Sequence, residues 1–456
     1  MKPAADAFER SYTEGVLDEL PPPPAAARRA AAVRAVAPYA LRGCVLLPDR
    51  AIEQGSVVIS GETITAVVDG PADPGVRVVE TDGVILPGLI DLHGHPEYNV
   101  FAAWEPPRLY PNRYAWRQSH EYAQVVKDPW AKLQSDPPLL TTQTRYAEVR
   151  ALIGGVTAIQ GASAKYPDKS EALVRNVDLN VFGQHKARAM IDLGRADDAD
   201  TQRLRQQIDA GAVNAFYVHL AEGVDDRSRA ELDALANAGL LTPATIIIHG
   251  TALTAAQLGQ VKDAGAKMVW SPQSNLRLYG QTTAAGQALA MGITVGLGAD
   301  WLPSGSPSLL EEMKVARAAL RSQGVSIAAS KLVHMVTSGA AAIAGLDAHL
   351  GTLAAGRPAD VLVLERRLAD PWENVVEALP SWVELVTIGG MPLYGRADWV
   401  GALTGQPPRE QVWAWGKQMA LDTSYAALSS TSDPPKLADL RAALVGRYPQ
   451  VGPVLA

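Results

Sequence analysis

Between residues 156 and 323 short apolar runs alternate with helix-forming stretches, and no other feature limits the possible folds of the chain so strongly. Residues 156–160, 216–220, 245–249, 268–270 and 293–297 are strand-sized and largely apolar, as strands buried on both faces of a parallel sheet must be. Residues 200–211, 227–239, 254–265 and 283–292 lie between them with helical composition, each closing on a glycine. Parallel neighbours cannot be joined by a tight hairpin, so the helices must cross over, and a series of βα units follows. Ser306-Pro307 reads as an N-cap and N1 proline for one more helix, running to about Gln323.

A further buried strand precedes this series. In Gly83-Val-Ile-Leu-Pro-Gly-Leu-Ile-Asp-Leu-His-Gly-His-Pro96 the stretch from Val84 to Leu92 is almost wholly apolar and runs straight into His93 and His95. Side chains two apart on a strand share a face, so the two imidazoles can converge on one metal ion. The carboxyl ends of strands are where barrel enzymes place their chemistry.

The flanks differ in kind. Residues 56–60 and 64–68, joined through Gly61, read as an antiparallel hairpin, and residues 359–364 and 383–388 supply further strands near the other end. The expected architecture is therefore a (β/α)8 barrel over 86–344, with a small β-sandwich domain assembled from 37–85 and 345–400. Residues 1–36, with Pro21-Pro-Pro-Pro24 followed by an Ala/Arg stretch, read as a mobile N-terminal arm. Residues 401–456 read as a C-terminal helical extension of two helices, with Trp413 and Trp415 on the first.

Composition removes several classes of function. A net charge of −7 without a dense Lys/Arg stripe argues against a nucleic-acid partner. The single cysteine, Cys44, excludes an intramolecular disulfide framework and a thiolate-rich zinc site, so a metal must be held by His and carboxylate. The acidic N-terminal segment has no apolar core of a secretory signal and no run approaches a membrane span, so a cytoplasmic protein without a membrane partner is expected. No nucleophile elbow, phosphate-binding loop or dinucleotide fingerprint occurs.

Reading only the strand ends gives His93 and His95, then His219 with Glu222, then His249, then Asp300; four of the 8 histidines sit there. Three imidazoles and a carboxylate (His93, His95, His219 and Asp300) suit one zinc or ferrous ion with a position left for water. His120, His185, His334 and His349 lack that context and read as packed or surface residues.

The ordered set Leu86-Pro-Gly-Leu-Ile-Asp-Leu-His-Gly-His95, His219-Leu-Ala-Glu222, Ile248-His249-Gly250, Ser271-Pro-Gln-Ser-Asn275, Gly298-Ala-Asp300 and Gly351-Thr-Leu-Ala-Ala-Gly-Arg-Pro-Ala-Asp360 resembles the amidohydrolase superfamily over roughly residues 40 to 395. His-x-x-Glu and Ser-Pro-x-Ser-Asn resemble its mononuclear deaminase and hydrolase branch, which includes guanine deaminase, adenosine-type deaminases, triazine hydrolases and imidazolonepropionase relatives. The resemblance implies one divalent metal, Zn2+ before Fe2+, on His93, His95, His219 and Asp300. It further implies Glu222 as proton shuttle and His249 as the group polarising the attacking water or the tetrahedral adduct. The independent chemistry agrees, since a divalent metal lowers the pKa of water and a carboxylate can carry its proton to a leaving nitrogen.

Two departures bear on the substrate. Asp300 is followed by Trp301-Leu-Pro-Ser-Gly-Ser306, where many deaminases of the branch carry small residues and an Asn-rich turn, so Trp301 should narrow or flatten the pocket. From Tyr98 to Trp130 there are 8 aromatic side chains in 33 residues, where the chain average of 6% would give about two. Such a segment suits a lid that stacks on a flat substrate, with Trp104, Tyr114, Trp301 and Asn275 as expected substrate contacts. The expected reaction is hydrolytic deamination of a planar heterocyclic amine. Hydrolysis of a cyclic or acyl amide stays open beside it, and a barrel that has lost catalysis is the remote third reading. A small-molecule substrate and a homo-oligomer, with a dimer favoured, complete the expectations.

Overall fold

The structure, a computed structural model, describes residues 36–161, 172–178, 187–190, 193, 196–423 and 435–452; the N-terminal arm, apart from Val36, and His185 lie outside them. Its first strands, β1 (Tyr39–Leu46), β2 (Ala51–Ser60), β3 (Thr63–Asp69) and β4 (Arg77–Pro87), belong to one sheet with strands from the far end of the chain. Those are β13 (Val361–Leu364), β14 (Val383–Ile388), β15 (Met391–Arg396), β16 (Glu410–Ala414) and β17 (Lys417–Leu421). The order is β16-β17-β15-β14-β13-β4-β1-β2-β3, and the seam is β4, parallel to β1 and antiparallel to β13. The expected sandwich is thus hydrogen-bonded as a single nine-stranded sheet. The hairpin expected through Gly61 is β2–β3, and Gly61 has the left-handed φ of 58° that its turn needs.

The apolar run from Val84 to Leu92, read from the sequence as one strand, is divided between two sheets. Val84 to Pro87 pair with β13, whereas β5 (Leu89–Asp91) starts a new sheet. Gly88 is the crossing point, where a Cβ would overlap the Thr157 side chain. Proline and glycine in succession end one ladder and let the backbone pass close under the next strand.

Eight short parallel strands follow in two arcs. β5, β6 (Val156–Ile159) and β7 (Arg175–Asn176) form one; β8 (Ala187–Met190), β9 (Ala215–Leu220), β10 (Thr245–His249), β11 (Lys267–Trp270) and β12 (Val295–Leu297) form the other. Past the strand ends the first and eighth join. Gly94 and Asp300 form a parallel bridge, with Asp300 N donating to His93 O at 2.8 Å and His95 N to Asp300 O at 3.1 Å. Asp91 reinforces this seam by accepting from His93 N at 3.2 Å and Ala299 N at 3.1 Å.

Alternation along the buried strands separates two cores. Ile90, Ala158, Ala215, Tyr217, Ile246, Ile248 and Val269 fill the barrel interior. Phe216, Val218, Ile247 and Met268, from the intervening positions, pack into the larger core outside the barrel.

Two local expectations are corrected. The helix after Ser306-Pro307 is Leu309–Ser322, capped by Ser308, whose extended backbone lets its hydroxyl accept from Glu311 N; the Ser306 hydroxyl instead donates to Glu312. In the C-terminal segment Trp413 and Trp415 lie on a β-hairpin, not a helix. Trp415 and Gly416 have φ of 49° and 75°, the left-handed pair that a two-residue hairpin turn requires. Both indoles are exposed, at 75% and 55%. Among the described residues the segment does contain the α-helix Leu437–Arg447, which packs on the helix Pro137–Ile153. Among the described residues no helix is long and apolar enough to cross a membrane.

Candidate metal centre and its pocket

His219 continues the inward row Ala215, Tyr217, so the alternation of β9 delivers it to the top of the barrel interior. His249 needs a different device. On β10 it follows the outward parity of Ile247, but its φ of 67° turns the chain back so that its ring lies 5.1 Å from His93 and 5.4 Å from His219, centroid to centroid. Asp300 at φ 61° and Ala221 at φ 53° are likewise non-glycine residues in the left-handed region. Such backbones cost of order 1–3 kcal/mol each and concentrate where the surroundings hold a functional geometry.

The side chains converge. His93 and His95 lie 4.9 Å apart by ring centroid and His93 and His219 4.7 Å, while Asp300 Oδ1 is 3.0 Å from His93 Nε2 and 3.4 Å from His95 Nε2. Candidate ligand atoms of His93, His95 and His219 lie within 4.8 Å of one another, as do those of His93, His249 and Asp300.

Their charge states fit a cation. Burial pushes the His95 and His249 imidazoles down to about 3 and His219 well below its ordinary range, so all three are neutral. Burial alone would raise Asp300, but the imidazoles of His93 and His95 hold it below the carboxylate range. Among the described residues neither buried ring nitrogen of His93 has a well-formed hydrogen bond, although Nε2 is 3.0 Å from Asp300 Oδ1. Donor atoms that share one tetrahedral ion at about 2.0–2.1 Å sit about 3.3 Å apart without bonding to each other, so this arrangement suits a divalent metal.

The carboxyl-side partners surround that cluster. Glu222 Oε2 is 3.7 Å from His249 Nε2, and its Oε1 accepts from the Tyr279 hydroxyl at 2.6 Å. Burial raises the Glu222 carboxyl to about 7, against the opposing pull of Arg113 and the Tyr279 bond. Asn275 Nδ2 lies 2.9 Å from His249 Nδ1, and its Oδ1 faces the hydroxyls of Thr282 and Thr283.

The pocket above the cluster is walled by Tyr98, Arg113, Trp116, Arg117, Tyr122 and Trp301. Of the four expected substrate contacts only Trp301 lies on this wall. Asn275 is fully buried behind His249; Trp104 packs among Tyr110, Trp116 and Tyr122, with centroids 5.9–6.4 Å away. Tyr114 is bound to Glu231 at 2.9 Å, with the Arg227 guanidinium 3.5 Å from its ring centroid. The aromatic segment thus reaches the pocket through other members, Tyr98, Trp116 and Tyr122. Sequence reading passed over Arg113, Arg117 and Tyr279, which carry no motif; only their proximity to the aromatic cluster and to Asn275 marks them.

The profile of the amidohydrolase family matches residues 196–393, which hold His219, Glu222, His249 and Asp300. Over this stretch the chain is similar to that family. Its relatives include a 5-methylthioadenosine/S-adenosylhomocysteine deaminase of Teredinibacter turnerae, 25% identical over 389 residues, covering 75% of this chain and 87% of that one. An 8-oxoguanine deaminase of Pseudomonas aeruginosa is 25% identical over 411 residues, covering 74% and 88%. Among solved structures, an adenosine deaminase from Xanthomonas campestris with bound zinc superposes with a TM-score of 0.63 at 19% identity, over 78% of this chain and 92% of that one. The zinc complex of an atrazine chlorohydrolase mutant from Arthrobacter aurescens gives 0.66 at 18%, over 86% and 99%. At these identities the superpositions establish the fold alone, a barrel with an attached β-rich domain.

Proposed function

We propose that this chain is an amidohydrolase that removes an exocyclic amino group from a planar heterocycle by hydrolysis, releasing ammonia. The reading is carried by the position of Glu222, which shares one pocket with the buried His/Asp cluster and with four flat rings, Tyr98, Trp116, Tyr122 and Trp301. A π-face between such rings favours a flat substrate. The names of the deaminase relatives support the same reaction class.

In this reading His93, His95, His219 and Asp300 hold one divalent ion, zinc by the chemistry of three imidazoles and a carboxylate. When bound it supplies a Lewis acid that brings a water's pKa toward neutrality. Glu222, with Oε1 fixed by Tyr279, takes the proton of the attacking water on Oε2 and returns it to the leaving nitrogen. His249 stands opposite that oxygen. Because Asn275 Nδ2 donates to its Nδ1, the proton of the neutral ring is on Nε2, where it can stabilise negative charge on the adduct. The same tautomer favours His219 over His249 as third imidazole ligand.

The test is a panel of 5′-methylthioadenosine, S-adenosylhomocysteine, 8-oxoguanine, guanine and aminotriazines beside lactams, hydantoins and N-acyl amino acids. Ammonia without a new carboxylate is expected. A new carboxylate without ammonia defeats the deaminase reading.

A further inference from the structure

The segment after β5 does more than wall the pocket, because it is tied to Glu222 by two separate routes. One is a side-chain relay. Trp116 Nε1 donates to the Tyr279 hydroxyl at 2.8 Å, and that hydroxyl donates to Glu222 Oε1 at 2.6 Å. Tyr279 ends the helix Pro272–Tyr279, is 2% exposed and lies behind the wall, so its bond to Glu222 gives it no direct access to a substrate.

The other route runs through backbone and a buried ion pair. Arg113 N donates to Glu222 O at 3.1 Å, Val224 N donates to Pro111 O at 2.7 Å, and Asn112 and Gly223 form an antiparallel bridge. The Arg113 guanidinium, 1% exposed, meets Glu231 at 2.8 Å, and Tyr114 closes the triangle by accepting from Arg113 and donating to Glu231, both at 2.9 Å. The same Glu231 carboxylate accepts from Ala221 N at 2.7 Å. Ala221 is the residue held at φ 53°, immediately before Glu222. A left-handed alanine persists only where its surroundings over-determine it, and Glu231 supplies one such tether.

We propose that Tyr279 and the Arg113–Glu231 pair are positioning residues for Glu222, coupling the seating of the aromatic segment to the orientation of the proton-carrying carboxylate. This rests on the role given to Glu222 above. With the segment seated, Tyr279 occupies one carboxylate oxygen and leaves the other facing His249. With it displaced, Trp116, Arg113 and the 111–113 backbone leave together, and the loop bearing Glu222 loses contacts on both sides.

Two measurements test the coupling. In the metal-loaded full chain, with 5′-methylthioadenosine and 8-oxoguanine as probes, Tyr279→Phe should lower kcat about 10- to 100-fold with KM within about twofold and metal content unchanged. Trp116→Phe should lower kcat less, and the double variant should fall no further than Tyr279→Phe alone, because both act on one relay. Multiplying losses, or a change confined to KM, overturn the relay. Without any substrate, Glu231→Gln should speed amide hydrogen exchange about tenfold or more over 221–224 and 112–117 together. Faster exchange in one segment alone, or in neither, overturns the coupling. If the unaltered enzyme releases no ammonia from the whole panel, the deaminase reading fails, while hydrogen exchange still decides whether the two segments are joined.

Discussion

Asn275 Nδ2 and His249 Nδ1 are 2.9 Å apart in a fully buried contact, which leaves the imidazole proton on Nε2, facing Glu222. We propose on this geometry that the asparagine of Ser271-Pro-Gln-Ser-Asn275 acts on the histidine and not on the substrate. Asn275→Ala should lower kcat about 10- to 100-fold and leave KM and metal content nearly unchanged. Steady-state kinetics with elemental analysis check this, and a rise in KM alone would return Asn275 to the substrate.

The proposed ligand set predicts a division among variants. His219→Ala and Asp300→Ala should lose the bound metal, since each removes a donor from a cluster of four. Glu222→Gln should keep about one metal per chain and lose about 10²- to 10⁴-fold in kcat, the usual contribution of a general acid and base. Two tightly held metals per chain, or full activity after exhaustive chelation, are the results that exclude the single-ion centre.

Pocket-wall and packing aromatics should separate in their effects. Trp301→Ala and Tyr122→Ala should raise KM for the true substrate, because both rings face the pocket. Trp104→Ala should instead cost stability, on the order of 3–5 kcal/mol for a large aromatic removed from a core. Thermal unfolding beside kinetics distinguishes them; a KM effect from Trp104→Ala with no loss of stability contradicts the assignment.

Glu312 predicts a pH dependence of stability. Burial pushes its carboxyl up to about 8 from an ordinary 4.5, although Ser306 and Gln273 N donate to it. The folded state then holds a proton that the unfolded chain gives up, so the contribution to stability is full below about 4.5 and is lost as pH rises through about 8. Glu312→Gln keeps an acceptor for Gln273 N and cannot ionise. Its Tm relative to the parent should therefore rise between about pH 5 and about pH 9. An unchanged difference across that interval shows that Glu312 is not held protonated.

Periodicity and punctuation made six of the eight barrel strands, the crossover helices between the later ones and the histidines at strand ends legible, because burial on both faces of a parallel strand dictates composition residue by residue; the two short strands Arg175–Asn176 and Ala187–Met190 were not read from the sequence. His219 follows from that rule alone, as the next inward position after Ala215 and Tyr217. His249 does not. Its inward aim depends on a left-handed backbone that a glycine would advertise and a histidine hides. The apolar run 84–92 gave no internal sign of serving two sheets, since either sheet would bury it equally; the approach of Thr157 to Gly88 decides the break. The aromatic segment was recognisable by composition, but composition has no direction. Which rings meet the pocket, and which pack behind it with Trp104 and Tyr114, is decided by contacts with Glu231, Tyr279 and Trp301, which lie more than one hundred residues further along the chain and share no repeat with it.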